Sequence, residues 1–474
     1  AELRHLTLSA LLLGFVGPTP PRWLLDGLAE GLGGVVLFGS NLGDGRSVDR
    51  LTVQLRAAAG RDVVIALDEE GGDVTRLDTV RGSASPGAAA LGYLDDPDAT
   101  ERAYAAIGLR LAEAGVTVDL APVADVNVDP RNPVIGVRSF GADPQLVARH
   151  VAAAVRGLQG QGVAACAKHF PGHGATSADS HVEVPTLTRS ADDIAAVELP
   201  PFAAAIEARA RAVMTAHLMV PALDATSLAT VSRPITSALL RERLGFTGTV
   251  MTDALEMGAL ADTIGMERGF VAALAAGADT IETGALDYPH LLDEIPAAVQ
   301  RALDQGELAL DRLQDAAART AELASAATPH PVPPQPHLAR RCIELAGTIP
   351  RLPRPLVVEA RPPGGVASGD LPWSLADELA ARVPGTTRLD VHDAGEAAAA
   401  IATASGRGLV VVVRDPLRHQ WQQVLVDGVR THPAAVLVDV GWPAPLPEGL
   451  PMIRTRGVAP GLLGAAAELL ADSY

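Results

Sequence analysis

Lys168-His169-Phe170-Pro171-Gly172-His173-Gly174, followed by Asp179-Ser180-His181, is the densest run of chemically capable side chains in the sequence. An aspartate and a histidine separated by one residue can let the carboxylate orient the imidazole and stabilise its charged form. Because an imidazole ordinarily titrates near ~6.5, His181 could then give and take a proton at neutral pH with little adjustment. The bland alternative is a loop held by a His–Asp hydrogen bond, and residue types alone leave both open. Metal binding by His169, His173, Asp179 and His181 is the competing chemistry, yet their spacings match neither the helical HExxH arrangement nor a Cys/His zinc pattern. Neither a metal nor an organic cofactor is expected.

A second block, Val250-Met251-Thr252-Asp253-Ala254-Leu255-Glu256-Met257-Gly258, puts a carboxylate directly after a short apolar strand, where it could reach a reacting carbon. Asp253 could equally cap a helix, with Glu256 one turn later completing a capping box. In Asp68-Glu69-Glu70-Gly71-Gly72-Asp73-Val74-Thr75-Arg76-Leu77, acidic residues could bind hydroxyls while the glycines permit close backbone approach. Arg138, in a loop bracketed by turn formers, is either a ligand contact or a partner for one of the many carboxylates. No strand-to-helix element carries a P-loop or dinucleotide fingerprint.

These residues need elements to bring them together. The first ~320 residues alternate β-branched runs with longer helical stretches, the pattern of βα units around a parallel sheet. Strands are expected at Ser9–Phe15, Gly34–Phe38, Val63–Leu67, Val116–Leu120, Val163–His169, Ala212–His217, Thr249–Thr252 and Ala278–Ile281, which suggests a (β/α)8 barrel. Helices are expected at Pro21–Glu30, Arg50–Ala59, Glu101–Ala114, Pro144–Leu158, Ala191–Ala210, Met266–Ala276 and about Leu308–Leu323. Asp68, Asp125, Lys168 with His169, His217 and Asp253 all fall at or just after strand ends, where barrel enzymes assemble their sites. The expected domains are a barrel over 1–323, a Pro-rich linker over 324–340 and a smaller C-terminal α/β sandwich over 341–474. In that sandwich, strands are expected at Pro355–Ala360, Thr387–Val391, Gly408–Val413 and Ala435–Val440, with helices at Ser374–Arg382, Gly395–Thr403, Trp421–Thr431 and Gly461–Ala471.

Composition narrows the function classes. A formal net charge of -18 over 474 residues opposes association with phosphate backbones, so nucleic acid is a poor candidate ligand. No apolar run approaches the ~20 residues that span a bilayer. Cys166 and Cys342 are the only cysteines, which gives no disulfide framework. The sequence begins at Ala1 without Met, as would a trimmed cytoplasmic protein or a mature exported one; the cytoplasm is the expected compartment. Lys168 is the only lysine in a chain that otherwise uses arginine, which marks a position needing a compact ammonium.

Taken together, these blocks resemble glycoside hydrolase family 3, in particular its bacterial β-N-acetylglucosaminidase branch. The likeness runs from Leu11–Phe15 and Gly34–Phe38 through the Asp253 block, and a family-like C-terminal domain follows. The resemblance implies that Asp253 is the nucleophile, that His181 is the general acid/base and that Asp179 supports it. It also implies sugar-binding roles for Asp68, Arg76, Arg138, Lys168 and His169 and a pocket role for His217, while Asp125 would support neighbouring loops. The implied reaction is retaining hydrolysis of a terminal β-linked N-acetylglucosamine by a β-N-acetylhexosaminidase, with water as acceptor and a small saccharide or muropeptide from peptidoglycan recycling as substrate. Phosphate could replace water in a phosphorylase, and a noncatalytic amino-sugar sensor is the reading from another class. The second domain would cover the site or support a homodimer. Three departures stand out: Asp73 where an arginine is common, Ala254 where a second acidic residue often follows the nucleophile, and Glu282-Thr283-Gly284 in place of a more apolar continuation.

Overall fold

The computed structural model of the chain describes residues 1–43, 48–176, 184–325, 327–365, 367–369, 371–445, 447 and 449–473. Eight short strands form one parallel sheet: β1 (Leu11–Leu13), β2 (Gly34–Leu37), β3 (Val64–Leu67), β4 (Val118–Asp119), β5 (Ala164–Phe170), β6 (Ala212–Thr215), β7 (Thr249–Thr252) and β8 (Ile281–Glu282). Their spatial order is β8-β1-β2-β3-β4-β5-β6-β7, and a parallel bridge between Met251 and Thr280 joins the last strand to the first, so the expected barrel is nearly closed.

The strands read as almost uninterrupted apolar runs because both of their faces are covered. Alternate residues, among them Leu12, Val36, Ala66, Cys166, Met214 and Met251, fill the lumen as one buried cluster, while the others meet the outer helices. The crossover helices start where local chemistry allows. Asp96 accepts from Ala99 N at 3.0 Å ahead of Pro97–Glu113, and Asp143 accepts from Leu146 N at 2.7 Å ahead of Pro144–Gly160. Each helix carries proline at its first position, where the missing N–H is no loss.

Several helices of the barrel unit lie outside the sequence expectations, Glu2–Ser9, Gly39–Leu42 and Gly258–Ile264 among them. Leu291–Gln305 follows β8 with Leu291, Leu292, Ile295, Ala298, Val299 and Ala302 buried at helical spacing, and its internal Pro296 hides that periodicity from a sequence reading. Pro234–Arg243 is helical between β6 and β7.

The second sheet has six strands: β9 (Glu344–Ala346), β10 (Leu356–Ala360), β11 (Thr387–Val391), β12 (Leu409–Val413), β13 (Ala435–Asp439) and β14 (Met452–Arg454), in the order β9-β14-β13-β12-β10-β11. Only the β9–β14 pair is antiparallel. β9 and β14 add to the expected strands; at three residues each they are too short to carry a readable alternation. Helices Ala394–Ala402 and Gln423–Thr431 contribute Ala397, Ala400, Leu425, Val426 and Val429 to a core with Val358, Val411 and Leu437. Among the described residues, no helix is long and apolar enough to cross a membrane.

By contacts the chain divides into two units. The first contains Ala1–Glu70, Asp96–Val128 and Gly141–Pro333; the second contains Gly71–Asp95, Asp129–Phe140 and Pro334–Tyr474. Two excursions within 1–323 are therefore grouped with the C-terminal residues rather than with the barrel. The reason is chemical. Asp73 Oδ2 pairs with Arg414 Nη2 at 2.8 Å, its Oδ1 accepts from Val458 N at 2.8 Å, and Arg76 Nη1 donates to Ala367 O at 3.1 Å. Asp73, one of the departures from the family pattern, is thus the anchor of its segment.

The lower end of the barrel closes on a buried charge. Asp279, just before β8, accepts from Val250 N at 2.8 Å and pairs with Arg241 and Arg312, tying β7 to two outer helices. Removing one member of a buried, hydrogen-bonded ion cluster leaves the others uncompensated. Asp279→Ala should therefore lower unfolding free energy by on the order of 3–5 kcal/mol, measured by urea denaturation. A loss within ~0.5 kcal/mol, typical of neutral surface changes, would contradict this account.

Candidate active site

The carboxyl ends of the strands carry the polar side chains. Lys168, the last lumen-facing residue of β5, continues the column begun by Ala164 and Cys166. Its side chain is 3% exposed, and Nζ lies 2.6 Å from Asp68 Oδ1 and 2.8 Å from Glu70 Oε1. One ammonium thus holds two carboxylates from the end of β3 in fixed positions. A compact ammonium can serve carboxylates in different directions, which a planar guanidinium does less readily. Glu70, the second partner, is a residue the sequence reading did not single out.

Next to it, His169 Nδ1 lies 2.7 Å from Asp125 Oδ2, and His173 N donates to Asp125 Oδ1 at 2.7 Å. Burial works against the Asp125 charge, but the pull of His169 and then His173 outweighs it, so the carboxyl stays below its ordinary range. An ionised carboxylate only accepts, so Nδ1 of His169 carries the hydrogen and Nε2 is the nitrogen presented elsewhere. His173 is buried, and that burial lowers its pKa despite the opposing Asp125 charge; its Nδ1 meets Thr176 Oγ1 at 2.6 Å. Asp125 is therefore the post on which the Lys168–Gly174 segment is fixed.

Asp253 follows β7 directly, with its N donating to Thr215 O at 3.1 Å and its Oδ1 accepting from Ala254 N at 2.9 Å. It does not cap a helix: the next helix, Gly258–Ile264, starts after Met257. Nor does Glu256 complete a capping box. Its Oε1 accepts from Gly284 N at 2.7 Å, and a Cβ at Gly284 would come within 1.9 Å of that oxygen, so the contact depends on the glycine. His217, fully buried after β6, uses both ring nitrogens within the protein, Nε2 at 3.0 Å from Ala254 O and Nδ1 at 2.8 Å from Thr230 Oγ1. It braces the residue that follows Asp253.

Asp68, Asp125, Lys168, His169, His217 and Asp253 belong to the barrel unit, whereas Arg76 and Arg138 belong to the second unit. There Arg138 Nη1 donates to Val134 O at 3.1 Å. Asp179 and His181 lie outside the described residues.

Glu198 escaped the sequence reading because nothing in Glu198-Leu199-Pro200 distinguishes it from a helix-surface carboxylate. It is fully buried against Gly172, whose φ of +133° and lack of a side chain make room: a Cβ there would be 2.5 Å from Glu198 Oε2. Arg189 Nε stands 3.6 Å from Oε1, and neither oxygen has a hydrogen-bond partner among the described residues. Burial, then the Asp125 charge, pushes this carboxyl up to about 8.

The chain is similar to known proteins in both sequence and fold. Residues 25–323, more than half of the chain, match the model of the glycosyl hydrolase family 3 N terminal domain. A beta-hexosaminidase of Stenotrophomonas maltophilia is 37% identical over 306 residues, which cover 63% of this chain and 89% of that protein. Beta-hexosaminidase A of Pseudoalteromonas piscicida is 34% identical over 317 residues; the match covers 62% of this chain but only 53% of that longer protein. A glycoside hydrolase family 3 beta-N-acetylglucosaminidase from Paenibacillus sp. str. FPU-7 superposes with a TM-score of 0.90 at 29% identity, covering 99% of this chain and 97% of that one.

Glu198 supplies a pH test. Its folded-state pKa is raised above the ordinary carboxylate value of 4.5, so its contribution to stability is complete below 4.5 and is lost as pH rises through about 8. Glu198→Gln cannot ionise and should flatten the dependence of unfolding free energy on pH across that window, by on the order of 2–4 kcal/mol. Equal slopes for variant and parent in urea titrations between those limits would contradict the assignment. Lys168→Met should be severe near neutral pH, since it removes the ammonium that Asp68 and Glu70 share; a loss of on the order of 3 kcal/mol is expected in the same assay.

Proposed function

The chain belongs to glycosyl hydrolase family 3, and from that membership and the surroundings of Asp253 we propose that it is a retaining exo-β-N-acetylglucosaminidase, a β-N-acetylhexosaminidase that frees terminal N-acetylglucosamine. The observation that carries the proposal is the placement of a carboxylate at the end of β7, braced through Thr215 and Ala254, in the barrel unit that also holds the Asp68–Lys168 pair. Relatives named beta-hexosaminidase support the substrate class.

In this reading Asp253 attacks the anomeric carbon and forms a glycosyl-enzyme as the aglycone oxygen departs, protonated by His181 with Asp179 in support. His181 then takes a proton from water, and the hydroxyl oxygen displaces Asp253, so two inversions restore the β configuration. Asp68, Lys168 and His169 bind the sugar, and His217 keeps the Asp253 strand end in place. Fixed carboxylates suit sugar hydroxyls, which donate to them, and Lys168 pairs with both Asp68 and Glu70. Small saccharides, muropeptides among them, are the proposed substrates. The 3% aromatic content leaves little for a long stacking platform along a polymer.

The experiment is turnover of an aryl β-N-acetylglucosaminide, followed by NMR of the first anomer released. The β anomer should appear first, at a rate indifferent to inorganic phosphate, and Asp253→Ala should lower kcat by about 10³-fold or more. An α anomer appearing first, a sugar phosphate as the main product, or full activity in Asp253→Ala would each overturn the proposal. Binding without turnover by the parent chain would identify a sensor instead.

A further inference from the structure

One carboxyl in the barrel lumen has no part in the reaction as described. Glu282 ends β8, where its Cα is paired with that of Leu12 on β1. Leu12 belongs to the lumen cluster, and neighbours paired in a parallel ladder point to the same side, so Glu282 faces the lumen as well. It is 4% exposed, and its Oε2 has no hydrogen-bond partner among the described residues. Leu255 N donates to its backbone carbonyl at 3.0 Å, so β8 is stitched at this residue to the segment just after Asp253.

The charges around it decide its state. From β7 and the turn after it come Asp253 and Glu256, from β3 Asp68, and from β5 Lys168. Cys166, also on β5, is a buried thiol that Glu282 itself pushes further up, after burial. β1, the other strand beside it, contributes only Leu11–Leu13, none of which titrates. Lys168 already bridges Asp68 and Glu70. Among the described residues no ion pair reaches Glu282, and burial first, then Asp253 and Asp68, push its carboxyl well above its usual range.

Resting on the proposed glycosidase reading, we infer that Glu282 is a positioning residue for Asp253: its buried, lumen-facing carboxyl, tied through Leu255 to the segment that follows the nucleophile, stops turnover when it ionises by adding a negative charge beside Asp253. A negative charge added beside Asp253 makes that carboxyl harder to ionise. The departure from the apolar family pattern at this position thereby acquires a role in the reaction of this particular chain.

The test compares the parent with Glu282→Gln and Glu282→Leu on an aryl β-N-acetylglucosaminide, recording kcat and KM across pH, together with the infrared C=O band of protonated carboxyls at neutral pH. Glu282→Gln keeps the shape and a donor but cannot ionise. It should move the alkaline limb of kcat upward by about one pH unit or more and remove one protonated-carboxyl band. Glu282→Leu, which likewise cannot ionise, should move the alkaline limb in the same direction; if it fails to fold, the glutamine variant still decides. An alkaline limb that does not move in Glu282→Gln, or a protonated-carboxyl band that survives the substitution, would overturn the inference. Absence of turnover in the folded parent would overturn the glycosidase reading instead and leave the infrared comparison to judge Glu282 alone.

Discussion

The contact on which the site depends is the ammonium of Lys168 between Asp68 and Glu70. Carboxylates withdrawn from water into a barrel mouth repel one another strongly, and each would take up a proton unless a cation stood among them. With one lysine in the whole sequence, an ammonium can do this at one place only. The remaining buried acids follow from that limit. Asp125 is matched by histidines and its pKa stays low, while Asp119, Glu198 and Glu282 are driven toward their neutral forms, burial being the largest cause in each. The pattern of charged and uncharged carboxyls around the strand ends is set by where the few cations are.

Much of this was legible in the sequence because it is written in strong local signals. Eight apolar runs separated by helix-length stretches give the barrel, and polar residues at the run ends give the site, since a parallel barrel exposes only those ends to a ligand. Lys168 stood out by composition, and the Lys168–Gly174 block by family likeness. Asp253 was ambiguous locally, because a carboxylate before an Ala-Leu-Glu sequence is equally good as a helix cap. What removed the ambiguity is that the chain bends through Met257 before its next helix begins and that Glu256 turns to Gly284, a residue distant in sequence.

The parts that were not legible share a cause: their partners lie far along the chain. Asp73 reads as one more acid in an acidic stretch, and only Arg414 and Val458, more than three hundred positions later, make it an anchor. Glu198 looks like a helix-surface residue until Gly172 is seen to leave room for it. Helix Leu291–Gln305 was obscured by its proline, and β9 and β14 by their length. Periodicity reports which face of an element is covered, but it cannot report what covers it.

The electrostatics of the lumen also bear on the proposed chemistry. Glycosidic cleavage passes through a state with positive charge on the ring, which a layer of fixed carboxylates stabilises without having to reorganise. Too negative a layer would defeat this, because Asp253 must remain ionised to attack and each added charge beside it favours its protonation. Lys168 and a neutral Glu282 act on the two sides of that balance: the lysine removes charge from the Asp68 side of the layer, and the acid withholds charge on the β8 side. With His169 held by Asp125 through one nitrogen and the other presented outward, the barrel unit provides orientation and field in a rigid floor. Proton transfer falls, in the proposed reaction, to His181, since an imidazole ordinarily titrates near neutrality.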